Sequence, residues 1–363
     1  MKTFAQKIIA KISACVFSQL FTFGISMIGA GLFAGRPSDV CRNRRKLICV
    51  SCCTVIGFFV SAIFVTQIIS GNVGQNLFAD EFKVHLQKRV AQINPDNPDA
   101  KPVEYKLELK DETWKGEETA IIICDMWNKH WCSGATARVA EMAPRMNEVL
   151  KAARAKKVTI IHAPSDCINH YKNTAARKRI EGKRDEEFEK KFQSNKWASS
   201  NLPIEKDAIW PIDQSDGGCD CEPKCKGRHA WSSQIDILEI DNDKDWISDN
   251  GTEIITYMHE KGIKNVILLG VHTNMCVIGR SFGLRKMVTY GQNVVLMRDL
   301  TDTMYNSKKS PFVSHFAGTG LVVEYIEKYV TPTITSVDFL GGKPFAFKGS
   351  DKTDNKPNDK PKN

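Results

Sequence analysis

The sequence predicts an α/β fold in which a mostly parallel sheet is covered by helices on both faces. Short apolar runs rich in β-branched residues are typical of strands buried between two helix layers. They occupy residues 119–126, 158–164, 265–272 and 293–300. Stretches with helical spacing alternate with them, at residues 137–156, 249–261, 277–289 and 315–329. This alternation predicts a three-layer α/β/α domain over residues 117–340.

Three segments flank or interrupt this domain. Residues 76–116 are polar and contain prolines, which predicts an extended arm or linker. Residues 195–235 lack the strand–helix rhythm and are expected to form an insertion over one end of the sheet; long irregular connections of this kind are often functional. Residues 341–363 end in a charged, repetitive stretch, so a disordered tail is predicted.

The positive charge of the chain is concentrated at its N-terminus. The formal net charge is +9, and residues 1–46 contain eight basic residues against one acidic residue. The rest of the chain is therefore nearly neutral. A basic nucleic-acid-binding face is not expected, and nucleic acid is excluded as a partner.

Two apolar segments define a predicted transmembrane or signal region over residues 1–75. Residues 47–69 are 23 residues without a charge, long enough to cross a bilayer as a helix. Residues 12–33 are also uncharged and form either a second crossing or a surface-lying segment. Basic residues directly precede residue 47, and positive charge tends to stay cytoplasmic. The folded domain is therefore expected on the non-cytoplasmic side, membrane-anchored or exported. A cleaved signal peptide is the alternative.

Two reactive side chains stand at predicted strand ends, where open parallel sheets bind ligands. Asp125 closes the first strand, and Cys276 follows the third after a polar turn. A thiol at the start of a helix is closer to its thiolate form, because free N–H groups and the helix dipole stabilise negative charge. A neighbouring carboxylate accepts the proton, so this pair predicts a nucleophile with its base. Taken singly, a buried packing cysteine and a helix-capping aspartate are the alternatives.

Two stretches resemble one enzyme superfamily. "GVHTNMCV", residues 270–277, closely resembles the Gly-x-x-Thr-x-x-Cys-Val signature of the isochorismatase-like cysteine hydrolases, which include the nicotinamidases. "IIICDMWN", residues 121–128, resembles the first strand of that superfamily, with Asp125 in place of its catalytic aspartate. The resemblance spans roughly residues 117–335. It implies a Rossmann-like, six-stranded, mostly parallel sheet and a homo-oligomer.

The resemblance further implies an Asp–Lys–Cys triad with Cys276 as nucleophile and Asp125 as base. It implies a cis peptide bond between Val271 and His272, which directs the N–H groups of His272 and Cys276 toward one oxyanion.

The lysine of the triad is the least defined member. Family members carry it a few residues before an aromatic–Ser pair, which residues 231–232 match here. Lys226 is then the expected triad member and Lys224 the second choice. Arg228 and His229 lie close enough in sequence to compete.

The sequence departs from the metal site of the nicotinamidases, which uses an Asp-x-His motif and a further histidine. Asp166 matches the aspartate, but Ile168 stands in the place of the first histidine, and His170 alone does not restore the set. We expect no metal at that position and no cofactor. This argues against nicotinamidase itself.

A cluster of cysteines lies within the insertion. Cys219, Cys221 and Cys225 fall within seven residues. Three thiolates can bind zinc with one further ligand, although this spacing is not that of a standard zinc finger. Disulfides in an exported protein and plain packing are the two alternatives.

Side chains beside the predicted triad are the expected substrate contacts. Trp127 and Trp231 each lie close in sequence to a triad residue, and Asn128 is a polar candidate. Thr273 and Asn274 line the turn before the nucleophile. For the tryptophans, packing in the core or in a lid is the alternative.

These features predict a hydrolase that cleaves a C–N bond of a small-molecule amide through a thioester on Cys276. True isochorismatase cleaves a vinyl ether without a cysteine nucleophile, so the cysteine favours amidase chemistry. The alternative is a catalytically impaired binding or assembly module at the membrane surface. The two differ in whether Lys226 lies within salt-bridge distance of Asp125.

Overall fold

The computed structural model describes residues 80–93, 104–198 and 202–350. The two apolar segments expected to associate with a membrane, residues 12–33 and 47–69, lie outside these ranges. Of the helices inside them, none has the length and apolar character needed to span a bilayer.

Within the described residues, eight strands form one mixed sheet. The strands are β1 (Glu81–Gln92), β2 (Glu104–Lys115), β3 (Thr119–Cys124), β4 (Thr159–Ala163), β5 (Trp246–Ile247), β6 (Asn265–Val271), β7 (Asn293–Asp302) and β8 (Thr333–Ile334). Their spatial order is β2-β1-β8-β7-β6-β3-β4-β5.

Helices cover the sheet and connect its parallel strands. They are α1 (Ser133–Ala155), α2 (Ile168–Tyr171), α3 (Ala175–Lys178), α4 (Glu186–Phe192), α5 (Gly251–Glu260), α6 (Leu284–Thr289), α7 (His315–Tyr329) and α8 (Val337–Leu340). Short 3-10 turns occur at Gly116–Glu118 and Pro203–Glu205, and a π-helical turn occurs at Thr273–Val277.

An antiparallel hairpin extends a six-stranded parallel sheet at one edge. β8, β7, β6, β3, β4 and β5 pair in parallel, whereas β1 pairs antiparallel with both β2 and β8. The expectation of a six-stranded sheet is therefore wrong, because residues 76–116 supply two strands instead of an arm. Their signal lies in β1, where the buried Phe82, Val84 and Leu86 alternate with polar residues. The prolines that suggested a linker lie between the two strands.

The strand order reverses between β3 and β6. The chain builds β3, β4 and β5 in one direction and then places β6 on the other side of β3. Such a reversal opens a crevice at the carboxyl ends of the two strands, which is where ligands bind in open α/β sheets. Asp125 directly follows β3, and Cys276 follows β6 after a short turn. Both reactive side chains therefore stand at this crevice.

Separate hydrophobic cores lie on the two faces of the sheet. In β3, Ile121 and Ile123 belong to the core that includes α1, whereas Ile122 and Cys124 belong to the core that includes α5, α6 and α7. All four side chains are fully buried. Because both faces of the strand are covered, its sequence is a continuous apolar run and not an alternating one.

Residues 341–350 pack onto the domain, so the prediction of disorder from residue 341 is wrong for this stretch. Phe345 and Phe347 contact the core that includes α1, and the Phe345 N–H donates to Asp299 Oδ2 at 2.9 Å. Aromatic side chains supply the apolar surface that an ordered segment needs. The charged repeat begins later, and residues 351–363 lie outside the described ranges.

The insertion runs across the carboxyl ends of the strands, as the sequence predicts. Within its described residues, 195–198 and 202–235, its regular structure consists of the turn at Pro203–Glu205 and an antiparallel bridge between Gln234 and Trp127. Asp125 lies two positions before Trp127. The insertion therefore covers the crevice between β3 and β6.

Gly270 allows β3 and β6 to approach each other beside the crevice. Its φ is +105°, and a Cβ at this position would lie 2.1 Å from the Cys124 carbonyl oxygen. The pairing of β6 with β7 shifts register between Leu268 and Gly270. Only glycine combines this φ with so close a backbone contact.

We expect Gly270→Ala to destabilise the chain by about 1–3 kcal/mol more than Gly262→Ala, because the added methyl group overlaps backbone. Gly262 is the control, since its φ of +69° is also positive but lies in the left-handed region that other residues can adopt, and nothing lies within 4 Å of a Cβ there. Urea unfolding of the two variants measures the difference. Equal losses of stability would contradict the close-approach argument.

Candidate active site

Asp125 and Cys276 meet at the crevice between β3 and β6. The two strands are adjacent and parallel, and Cys124 pairs with Gly270 at their carboxyl ends. Asp125 is fully buried, and the thiol of Cys276 lies close enough to its carboxylate that each shifts the pKa of the other. The structure thus brings the expected nucleophile and base together.

The Asp125 carboxylate is held by partners on both of its oxygens. Oδ1 accepts the Ser165 backbone N–H at 2.8 Å. Oδ2 accepts the Arg280 Nε–H at 3.2 Å and lies 3.1 Å from Arg280 Nη2. Burial raises the pKa of the Asp125 carboxyl, and the Arg280 charge is the strongest influence in the opposite direction. Arg280 therefore favours the carboxylate form that a base requires.

Arg280, and not Lys226, supplies the positive charge of the site. Within the described residues Asp125 forms its ion pair with Arg280, whereas Lys226 is exposed. Lys224, the second choice, pairs with Asp216 at 3.1 Å. The expectation that Lys226 pairs with Asp125 is wrong, because the insertion leaves residues 226–229 exposed at the surface.

The sequence contained a signal for Arg280. It lies four residues after Cys276, and its backbone N–H donates to the Cys276 carbonyl at 2.9 Å, as in one helical turn. Residues four apart on a helix share a face. The guanidinium also lies over the Trp197 ring at 4.9 Å and 3.9 Å from Asp166. The family resemblance predicts a lysine in this role, whereas the four-residue spacing between Cys276 and Arg280 predicts the arginine.

Cys276 does not begin an α-helix, contrary to expectation. It lies within the π-helical turn Thr273–Val277, and α6 starts only at Leu284. The Val271–His272 peptide bond that precedes this turn is cis. The His272 backbone lies near enough to the Cys276 sulfur to lower the pKa of its thiol. The His272 N–H is therefore a candidate donor to an oxyanion formed beside the sulfur.

The surroundings of Cys276 favour the neutral thiol over the thiolate. Burial raises its pKa, the negative charge of Asp125 raises it further, and Arg280 opposes both. The side chain is 7% exposed. Helix-dipole activation, which the sequence suggested, is outweighed by desolvation. A nucleophilic role for this thiol would therefore require a proton acceptor, and Asp125 is the adjacent carboxylate.

Four rings form an aromatic wall next to the nucleophile. Trp127 and Trp231, both predicted to contact substrate, stack with their centroids 4.3 Å apart. His130 stacks on Trp231 at 5.6 Å and meets His272 edge-on at 4.8 Å. The wall therefore leads from Trp127 to the His272 backbone beside the sulfur. Sequence reasoning missed His130, which lies within the same "DMWNKHWC" stretch as Asp125.

The aromatic wall is uncharged at neutral pH. Burial lowers the pKa of His130 to about 4 and that of His272 to about 3. His130 Nδ1 accepts the Cys132 N–H at 3.2 Å, so its ring is neutral with the proton on Nε2. Among the described residues, His272 Nε2 and Trp231 Nε1 are buried polar atoms without a hydrogen-bond partner. They are free to bind polar atoms of a ligand.

The three polar residues expected to bind substrate are occupied by the protein instead. Asn128 donates to Ser232 Oγ at 2.9 Å and its side-chain oxygen accepts the Ser232 N–H at 3.1 Å. Thr273 Oγ1 lies 2.6 Å from Thr301 Oγ1. These bonds fasten the insertion and the nucleophile turn.

Asn274 is equally engaged. Its amide donates to Gln214 Oε1 at 2.8 Å and to the Met304 carbonyl at 2.9 Å, and its oxygen accepts the Met304 N–H at 2.9 Å. Both N–H groups of the Asn274 amide donate and its oxygen accepts once, so one oxygen lone pair is left unused. Asn274 therefore anchors the turn below Cys276.

The cysteines of the insertion gather around a fourth cysteine. Cys219, Cys221 and Cys225 join Cys132, directly before α1, and the four Sγ atoms all lie within 4.8 Å of one another. All four are free thiols. At the position of the family metal, Asp166 is exposed. A buried histidine in β4, His162, is hydrogen-bonded to Asp245 and Gln234.

No protein-family model and no curated protein sequence matches the chain. Similar solved structures include a cysteine hydrolase from Pseudomonas syringae pv. phaseolicola 1448A, 18% identical over 62% of this chain and 92% of that one, with a TM-score of 0.37. An isochorismatase family protein from Burkholderia thailandensis is 16% identical over 61% and 93%, with a TM-score of 0.34. N-carbamoylsarcosine amidase from Thermoplasma acidophilum is 10% identical over 60% and 96%, with a TM-score of 0.31. These likenesses are too distant to assign an activity.

We expect Arg280→Met to lower the free energy of unfolding by about 3–5 kcal/mol at neutral pH, because it leaves the buried Asp125 carboxylate unpaired. Arg184→Met is the control: the Arg184–Glu189 pair is on the surface, with the arginine side chain 58% exposed, and such pairs contribute about 0–1 kcal/mol. Chemical denaturation measures both. Equal effects would show that Arg280 does not neutralise a buried charge.

The pH dependence of Cys276 alkylation tests the electrostatics of the pair. Because Asp125 raises the thiol pKa, Asp125→Asn should move the alkylation profile to lower pH; Arg280→Met should move it to higher pH. In the unmodified chain the rate should still rise above pH 8.5, about the pKa of a free cysteine. Iodoacetamide labelling with peptide mass mapping gives the profiles. A plateau near neutral pH would mean that the resting residue is a thiolate.

Proposed function

We propose that the chain is a cysteine hydrolase of the isochorismatase-like superfamily that cleaves a C–N bond of a small neutral amide. The observation that carries this proposal is the arrangement of Cys276, Asp125 and Arg280 at the reversal of strand order. A nucleophile, its base and a fixed positive charge are the groups that acyl transfer through a thiol requires. The motifs at residues 121–128 and 270–277 support the same reading.

In the first half-reaction, Cys276 Sγ attacks the amide carbonyl carbon and its proton passes to Asp125. The oxyanion of the tetrahedral intermediate accepts the N–H of His272, whose backbone lies near the sulfur. Asp125 then returns the proton to the nitrogen as the C–N bond breaks. The amine leaves, and the acyl group remains on Cys276 as a thioester.

In the second half-reaction, water attacks the thioester carbon and Asp125 takes a proton from it. Collapse of the intermediate expels the Cys276 sulfur, which recovers the proton from Asp125, and the acid is released. Arg280 keeps its own proton throughout, because a guanidinium does not deprotonate in proteins. Its role is therefore electrostatic, and Asp125 alone carries protons.

The aromatic wall supports a neutral substrate with a planar or apolar part. Its rings are uncharged, and a charged substrate would lose its hydration against them without an opposite charge in return. The unpartnered His272 Nε2 and Trp231 Nε1 offer polar contacts to such a substrate. A vinyl ether substrate is less consistent with the site, because its cleavage has no use for a thiol nucleophile.

The binding-module alternative depended on the lack of a cation at Asp125. Lys226 does not pair with Asp125, and if the position of Lys226 were the sole criterion, a binding module would be favoured. Arg280 supplies the missing charge from the nucleophile's own helical turn. The hydrolase reading is therefore the better supported of the two.

The test is turnover of a panel of small neutral amides by the full-length chain, with amine release as the readout. Cys276→Ala should lower kcat/KM by about 10⁴-fold or more, as removal of a nucleophile does in other acyl-transfer enzymes. Lys226→Met is the control and should retain full activity, since Lys226 is exposed. Rapid quenching followed by mass mapping should find the acyl group on Cys276. Turnover by Cys276→Ala, or an adduct on another residue, would refute the mechanism.

A further inference from the structure

Four cysteines that are distant in sequence form a compact cluster beside the aromatic wall. Cys132 and Cys219 are buried, and Cys221 and Cys225 are partly buried. Cys132 precedes α1, whereas the other three belong to the insertion. Neither the proposed hydrolysis nor the nucleophile uses these thiols.

We infer that Cys132, Cys219, Cys221 and Cys225 bind one structural zinc ion as a tetrahedral four-thiolate site. Zn–S bonds of about 2.3 Å place tetrahedral sulfur ligands about 3.8 Å apart. The Sγ atoms of Cys132 and Cys221 are 3.7 Å apart, and all four lie within 4.8 Å of one another. Disulfide-bonded sulfurs are about 2.05 Å apart, far closer than this pair.

The surroundings of the sulfurs suit thiolates. The Gly134 N–H donates to Cys221 Sγ at 3.3 Å, and the Ser133 N–H donates to Cys225 Sγ at 3.4 Å. The Ser133 hydroxyl lies 3.5 Å from Cys221 Sγ and 3.4 Å from Cys225 Sγ. Zinc with four thiolates carries a net charge of −2, and these donors at the start of the 23-residue helix α1 offset part of it.

A closed set of four sulfur ligands indicates a structural metal and not a catalytic one. Catalytic zinc sites keep an open position for water, and here all four positions are filled by protein. Sulfur-only tetrahedral sites select zinc or iron. Iron–sulfur clusters spread their cysteines around several metal ions, whereas sulfurs this close together fit a single ion. The inferred ion would lie at the four cysteines and not at Asp166, where the sequence predicts no metal.

The zinc ion would join the two segments that build the aromatic wall. Cys132 ends the stretch that carries Trp127 and His130, and its N–H donates to His130 Nδ1 at 3.2 Å. Cys225 lies six residues before Trp231, which stacks on Trp127. Binding one ion therefore fixes Trp231 of the insertion against the rings that follow β3. This part of the inference rests on the proposed function; the metal site itself does not.

Metal content of the full-length chain, purified with reductant and supplied with Zn²⁺, tests the site. We expect about one zinc per chain, released when the thiols are blocked by a mercurial. Cys276→Ala is the matched control, because it removes another buried thiol and should keep the zinc. Cys221→Ser should lose most of it. Since that variant could fail to fold, Co²⁺ substitution of the unmodified chain is the second measurement, and it should show the absorption bands of tetrahedral thiolate coordination.

Two results would overturn the inference: iron in place of zinc, or metal-free chains in which peptide mapping finds disulfides among these four cysteines. Retention of zinc by Cys221→Ser would also contradict the assigned ligands. With an amide substrate in hand, Cys221→Ser should raise KM more than it lowers kcat, because the wall binds substrate while Cys276 and Asp125 remain in place. Failure to find any amide substrate would leave the metal measurement valid, so the two proposals fail separately.

Discussion

The buried ion pair between Asp125 and Arg280 is the interaction on which the site depends. A carboxylate without solvent is costly unless a cation and hydrogen bonds compensate for its lost hydration. Arg280 and the Ser165 N–H provide that compensation from two different parts of the chain. The ends of β3, β4 and β6 are thereby held in one arrangement, since a shift of any of them would leave the charge unpaired.

The same pair determines how the thiol can react. Burial raises the pKa of the Cys276 thiol, so in the proposed mechanism the proton leaves as the sulfur attacks a carbonyl group. Arg280 keeps its proton, so it supplies charge to the site without acting as a proton donor. In the proposed mechanism every proton transfer therefore passes through Asp125. Its carboxylate must be stabilised by a group that does not itself take up or release the proton, and Arg280 is such a group.

One short segment serves both the chemistry and the architecture. Residues 125–132 begin with the base, continue through Trp127 and His130, and end with a cysteine of the four-sulfur cluster. The insertion reaches the same segment through Trp231 and its three cysteines. Stacked aromatic rings and clustered sulfur atoms thus hold the insertion in place, although it contains almost no helix or strand.

Contiguous residues determined much of the molecule by themselves. The apolar runs predicted β3, β4, β6 and β7 to within two residues at their ends, because burial on both faces leaves a local pattern. Asp125 and Cys276 were evident because strand ends carry the chemistry of such sheets. Arg280 could also be predicted from the sequence, because it lies one helical turn after Cys276.

Only the tertiary structure decided which distant residues meet. Cys132 and Cys221 are 89 residues apart in sequence, and no local pattern links them. The neutrality of Cys276 and His272 likewise depends on burial by other elements, which outweighs the local backbone. Sequence periodicity indicates only whether one segment is buried. A set of metal ligands or a shifted pKa depends on which distant segments pack against each other.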